Sequence, residues 1–593
     1  MKVNLYTRLL TAAVALCPLA ASAQNLDPTV EVNKAYEGKL MEVQKPRLDM
    51  AVPDSVLRFD LDFDYSISDS PYKGAYEFKP YAMQLQPVGK AAEQQRLYMK
   101  LGVGNGLEAL SLHPSADFVW SPFLRERFKM DVYASHRSYV GEYRAADVPD
   151  PSQEDVYLGM KKSYARRSPD YDFLTKAGVD ARYDWADGTV RVDAGYYGLA
   201  ERYGIQSNMY NALDVRAGVA SKDYGQFINY DVYATYRFGK DRFDYKHVEG
   251  ESLTEHDRLT EHEVSVLGKL KAVLMDDHKA MFELGVDSHS YGFAGVSRLT
   301  FAPHYLFRYG NWGFDAGFRV EALVHAGDST CFASKGQVVY PDVTVDYQLI
   351  PGVMKAYAKI GGGTKVNSFS SLLAGNHHFD MYYGHGKAYM DNTIENISAA
   401  LGLEGRAGAR FTYGVRAGYA MYGNAPLETV VVGMLPGDDQ LSFMPGIAYA
   451  GYQNVYAAAD LSWVTERFRV DGNVMYRHSW FEDLETRTGG YFLPAALTGE
   501  VAFEYNWHKR IFLGMDCDFS TGRRQGSVLF PDGAVKPANV PGYADLGLNF
   551  EYLTTRNFSV WFRGGNLLNM AVQRNLLYAE KGIYFAAGIC LNL

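Results

Sequence analysis

The chain has 593 residues and a formal net charge of -10, and it is rich in tyrosine and glycine, with 45 and 57 of them. An acidic balance without a basic stripe argues against a nucleic-acid partner. Four cysteines spread over this length, with no CxxC or Cys/His spacing, make neither a disulfide framework nor a zinc cluster.

Residues 1–23 have the build of a secretory signal peptide. Lys2 and Arg8 open it, an apolar stretch runs from Leu9 to Leu19, and Ala21-Ser22-Ala23 supplies the small-residue cleavage site before Gln24. The apolar stretch is too short for a transmembrane span, which needs ~20 residues. Leu16 stands before Cys17 where lipid attachment would want a small residue. Cleavage leaves an exported chain two charges more acidic, with Cys331, Cys517 and Cys590 expected as small apolar fillers.

The segment 24–95 is broken by Pro46, Pro53, Pro71 and Pro80. It holds one clear strand, in which Leu57, Phe59, Leu61, Phe63 and Tyr65 alternate with Arg58, Asp60, Asp62 and Asp64. The acidic face offers oxygen ligands of the kind calcium takes. No glycine turn or glutamate follows at loop spacing, so a solvated strand face is the plainer reading.

From residue 96 to the end the pattern has period two. From Trp312, one face carries Trp312, Phe314, Ala316, Phe318, Val320, Ala322 and Val324, and the other Asp315, Gly317, Arg319, Glu321 and His325. From Phe468, Val470, Val474 and Tyr476 oppose Arg469, Asp471, Asn473 and Arg477. The same alternation occupies 128–134, 190–196, 411–421, 544–552 and 558–562. Soluble sandwiches and propellers alternate too, but their strands average about five or six residues, and these are longer. Aromatics mark segment ends, at Tyr183, Trp185, Trp463, Trp480 and Trp507, as interfacial girdles do. Short turns at 185–188, 276–279, 349–352, 406–409 and 554–557 alternate with long polar stretches at 143–170, 239–260, 361–392, 422–452 and 521–541. This is the outer-membrane arrangement. The expected fold is all-β: a transmembrane antiparallel barrel of about 22 strands over 96–593, preceded by a short periplasmic segment. Barrels of about 22 strands carry a plugged lumen.

The C-terminal region resembles TonB-dependent receptors, which close with an aromatic-rich strand (here Phe558 to Arg563), an Asn-Leu-x-Asn loop (Asn566-Leu567-Leu568-Asn569) and a last strand (Gly582 to Leu593). That last strand also resembles the signal read by the barrel-assembly machinery, although it ends in Leu593 rather than an aromatic. The resemblance implies import of a scarce small solute with energy relayed by TonB. Asp27-Pro28-Thr29-Val30-Glu31-Val32 looks like a TonB box, an extended segment that would add a strand to TonB's sheet edge. The plainer alternative is an ordinary β-prone segment, since Pro28 removes one donor. Segment 24–95 is far shorter than the family's plug domains, so the plug is absent or much reduced. A barrel of this width leaks unless the N-terminal segment, folded-in loops or a partner fills it.

No nucleophile elbow, Walker A loop or HExxH motif occurs, and the triplet Gly361 to Gly363 leads into a loop rather than a helix N-terminus. The chain is therefore read as a non-enzyme without a cofactor. The loop 361–392 gathers His377, His378, Asp380, Tyr382, Tyr383, His385 and Tyr389. Histidine with carboxylate suits a transition metal or chelate. A polar surface loop is the plainer reading, because flexible loops do not impose metal geometry. Arg319, Glu321, Arg469 and Asp471 are expected to face the lumen. Two functions stand: a barrel that binds or imports a small solute, and a plugless scaffold for envelope partners. The expected partners are outer-membrane lipid, TonB or another envelope protein, and the assembly machinery.

Overall fold

A computed structural model describes residues 96–593 apart from 108–110, 142–155, 160–169, 204–205, 223–226, 246–258, 276, 379–388, 435–440, 482–489, 531 and 580. The leader, the TonB-box-like Asp27 to Val32 and the acidic strand at 57–65 lie outside the described residues. No described helix is long and apolar enough to cross a membrane.

The wall is a closed antiparallel barrel of 22 strands. The strands follow one another up and down from Leu97–Gly106 to Tyr584–Asn592, and these two pair with each other, Tyr98 opposite Asn592 and Gly106 opposite Tyr584. Closure leaves no edge strand, the condition for crossing hydrocarbon with β structure. The short strands Val156–Tyr157, Tyr491–Phe492, Arg523–Leu529 and Val535–Val540 belong to the long connections rather than the wall.

Alternation decides which side chains meet lipid. Along Trp312–Gly327, Trp312, Phe318 and Val324 are exposed, whereas Glu321 between them is 2 % exposed. Along Ala294–Tyr309, Leu299, Phe301 and Tyr305 point out while Arg298 pairs inside with Asp287, its direct cross-strand neighbour. Asp214 with Arg237 and Glu283 with Lys269 repeat this opposition of charges on the inner side. So many exposed large apolar side chains on one face would be untenable in water. At the short-turn end aromatics cluster: Phe307 stacks on Phe314 at 4.5 Å, Trp312 meets Tyr347 at 4.6 Å and Trp463 meets Phe468 edge-on at 4.7 Å.

Leu284 tests the lipid face. It is 56 % exposed, directly opposite Phe301, and stands about five residues in from the turn, near the middle of an apolar band ~25 Å tall. Leu284→Arg is expected to destabilise the barrel by about 2–4 kcal/mol in urea unfolding from lipid vesicles. An unchanged midpoint would place this face outside hydrocarbon.

Two readings need correction. The stretch 422–452 is not a long loop, because strands Phe411–Met434 and Leu441–Val464 carry the hairpin through most of it. Strands this long rise well beyond a bilayer, and their outer parts bury Tyr422, Leu427, Val430 and Tyr452 against other loops rather than lipid. The period-two signal of a lipid face is therefore lost there. Likewise Gly361 to Gly363 lie within strand Met354–Lys365, where the register shifts as at a β-bulge.

Candidate functional site

The connection after Met354–Lys365 does not project into water. Ser368 starts a short helix, α1 (Phe369–Gly375), its hydroxyl accepting from the Ser371 N–H at 3.2 Å. Phe369, Leu372 and Leu373 are buried with Leu199, Tyr210 and Val296. The Ser370 N–H donates to Glu261 at 3.2 Å, and its hydroxyl to Glu263 at 2.8 Å. These partners stand on strands Gly188–Tyr203, Gln206–Ser221, Thr260–Met275 and Ala294–Tyr309, away from the two strands the loop connects. The segment therefore crosses the interior at the long-loop end.

Asn376 ends the helix. Its N–H donates to the Leu372 carbonyl at 2.9 Å, its side-chain oxygen accepts from the His378 N–H at 3.0 Å, and its amide donates to Glu428 at 3.3 Å. In an extended chain, adjacent side chains diverge. This turn instead brings the His377 and His378 rings to 4.1 Å. Both meet inward-facing carboxylates at the tips of two neighbouring strands. His378 Nδ1 lies 2.8 Å from Glu201 Oε2, and His377 Nε2 lies 3.6 Å from the same oxygen and 3.2 Å from Asp172 Oδ2. Glu201 is 3 % exposed and His378 7 %.

A third element completes the site. In the Asn566-Leu567-Leu568-Asn569 motif, Asn566 and Asn569 take φ of 45° and 52°, a left-handed geometry asparagine tolerates. The Asn566 amide donates to the Met570 and Lys581 carbonyls, both at 2.9 Å. The turn sends the following residues into the mouth. There Arg574 pairs with Asp518 and Asp545, each at 2.9 Å, and the Gln573 amide donates to the Leu158 carbonyl at 2.9 Å. Tyr578 stacks on His378 at 4.0 Å and 11°, and its hydroxyl donates to the His378 carbonyl at 3.4 Å. Beside it Arg523 pairs with Glu428, which also accepts from the Leu576 N–H at 3.3 Å. Beneath these polar groups Leu158, Val430, Phe492, Val528, Phe530 and Leu576 form an apolar core between the loops. Burial pushes the Tyr389 phenol above its ordinary pKa.

Of the loop residues singled out in the sequence, His377 and His378 thus converge on one cluster, whereas Asp380, Tyr382, Tyr383 and His385 lie outside the described residues. Arg319 and Glu321 stand opposite the exposed Phe318 and Val324. Arg319 reaches Asp342 at 3.3 Å, and Glu321 accepts from the Thr364 N–H at 2.8 Å. Arg469 and Asp471 pair with each other, far from the histidines in the order of the wall. Glu201, Asp172, Tyr578 and Glu428 carry no local sequence signal. They sit near strand ends, in the outer part of the long strand Phe411–Met434 or in a second loop, and only the fold joins them.

No protein-family model and no curated protein matches this sequence. Solved structures do match the barrel. It is similar to a variant of the ferric enterobactin receptor of Pseudomonas aeruginosa (TM-score 0.56, 10 % identity, 84 % of this chain and 80 % of that chain). It is also similar to the siderophore receptor PirA of Acinetobacter baumannii (0.57, 10 %, 85 % and 81 %) and to the copper transporter OprC (0.56, 11 %, 84 % and 80 %). The protein is an outer-membrane-type β-barrel. Its particular fold is that of a TonB-dependent-receptor-like barrel.

Proposed function

We propose that this barrel captures a small solute at its long-loop mouth and imports it across the outer membrane, drawing on TonB through Asp27 to Val32. One observation carries the reading: α1 and the 566–579 segment, hung from distant parts of the wall, fold inward and meet at one partly buried polar cluster. Loops that only filled the lumen would not need to gather imidazoles and carboxylates at one point, as His377, His378, Asp172 and Glu201 are gathered here. The siderophore receptors and the copper transporter with the same fold favour a metal or metal chelate as the solute.

The test is uptake of iron chelates and of copper by cells that depend on the full chain. Deleting residues 27–32, or collapsing the proton gradient, is expected to reduce uptake to the level of cells lacking the protein. Uptake untouched by both treatments would remove the TonB link. Absence of uptake together with stable co-purifying envelope proteins would instead favour a scaffold.

A further inference from the structure

We propose that Glu201, His377 and His378, with Asp172 beside them, form a binding site for one divalent transition-metal ion held directly by the protein. This inference goes beyond the import reading and does not rest on it, since the site is defined by side chains and not by transport.

The donor set selects the class of ion. Two imidazoles with carboxylates suit zinc, copper or nickel, whereas calcium and magnesium want oxygen alone. The spacing fits as well. Donors around 2.0–2.2 Å from a common ion stand about 3.0–3.5 Å apart at the corners of an octahedron or tetrahedron. Here Glu201 to His378 is 2.8 Å, Asp172 to His377 is 3.2 Å and Glu201 to His377 is 3.6 Å. The ligating atoms of Glu201, His377 and His378 all lie within 4.8 Å of one another. To hold one ion the 2.8 Å pair would part slightly and the 3.6 Å pair would close slightly.

The surroundings hold these donors in place, which a solvated cluster of charges lacks. The Tyr578 ring fixes the plane of His378, and Asn376 fixes its backbone. The Asn208 amide reaches the His377 carbonyl at 3.5 Å. Outer groups of this kind orient metal ligands and raise affinity. Because the carboxylates belong to the wall and the imidazoles to the loop, an ion here also ties the inward-folded segment to strands Asp170–Asp184 and Gly188–Tyr203.

The experiment uses the full chain purified in detergent, stripped with chelator and titrated with Co2+, followed by calorimetry and by the visible absorption of low-symmetry cobalt. Wild type is expected to bind one Co2+ per chain, displaced by Zn2+ and not by Ca2+. His378→Ala and Glu201→Gln should abolish binding, and Tyr578→Leu should weaken it about 10–100-fold, as loss of an outer-shell group does. His278→Ala, at the short-turn end, should bind as wild type. Heat-modifiable migration on gels identifies folded barrels. If a ligand variant fails to fold, His377→Gln takes its place. Wild type that binds no Co2+, displacement by Ca2+, or a folded His378→Ala that binds as tightly as wild type would each overturn the proposal. These readouts involve no transport, so a failed uptake assay and a failed metal site are separate results.

Discussion

Arg298→Met is expected to destabilise the barrel by about 3–5 kcal/mol, the usual cost of leaving buried charge without its partner. Arg298 is the hinge of an inner-wall network. Its guanidinium donates to Asp287 at 2.5 Å and 3.1 Å and to the Thr364 carbonyl, and lies 3.9 Å from Glu321. The Glu321 carboxylate is fully shielded and its other oxygen accepts from the Thr364 N–H. Removing the cation leaves two carboxylates without it, one on each of the strands that flank its own. Methionine keeps the aliphatic stem, so the loss reads charge rather than packing. The urea midpoint in lipid vesicles should fall with an unchanged slope. Adding Glu321→Gln should return part of the loss, a coupling of about 0.5–3 kcal/mol for groups in one network. A shift below about 1 kcal/mol, with no recovery in the double variant, would mean that lumen water screens these charges. Thr364 lies four residues before Ser368, so the same variant should also loosen α1 and speed amide exchange at Ser370 and Ser371.

The wall was legible in the sequence because a side chain facing hydrocarbon and the next one facing a wet interior must differ in kind, residue after residue. Segments such as 312–325 and 468–477 announce themselves in this way, and the tight turns between them give the strand count. Legibility fails where that contrast fails. Val430 and Leu427 pack against loops, so strand Phe411–Met434 continues where the lipid signal has stopped. The hairpin of Arg523–Leu529 and Val535–Val540 was hidden in a stretch read only as long and polar, because its apolar partners, Val156, Phe492 and Leu576, come from three other connections.

The candidate site was half visible for the same reason. Two adjacent histidines in a long loop can be seen, but their meaning depends on what they meet. His377 meets Asp172 across 205 residues of chain, and Tyr578 meets His378 across 200. No local pattern encodes such a contact. The Asn566 to Asn569 motif was read as a mark of kinship. Its physical role is the left-handed turn that delivers Tyr578.

The seam between the first and last strands gives the other large effect. At Gly588, directly opposite Gly102, an added Cβ would stand 1.9 Å from the Leu101 carbonyl oxygen and 2.6 Å from the Trp561 indole. At Gly102 the nearest atoms would be the same indole, at 2.2 Å and 2.4 Å, and the Ser115 hydroxyl, at 3.1 Å. Trp561 thus lies over both glycines on the inner side, with Lys100 above its ring at 4.9 Å. The two positions look alike but fail for different reasons. At Gly588 the obstacle is backbone of the partner strand, which cannot turn aside without breaking the seam. Gly588→Ala is therefore expected to prevent closure, seen as loss of the heat-modifiable folded band in refolding into lipid, and Trp561→Leu should not rescue it. At Gly102 the obstacle is the far edge of a side chain. Gly102→Ala should cost about 1–3 kcal/mol as an overpacked site, and Trp561→Leu in the same chain should relieve most of that increment relative to Trp561→Leu alone. Should Gly588→Ala close normally, or should Trp561→Leu restore it, the seam is not held at the register that pairs Gly102 with Gly588.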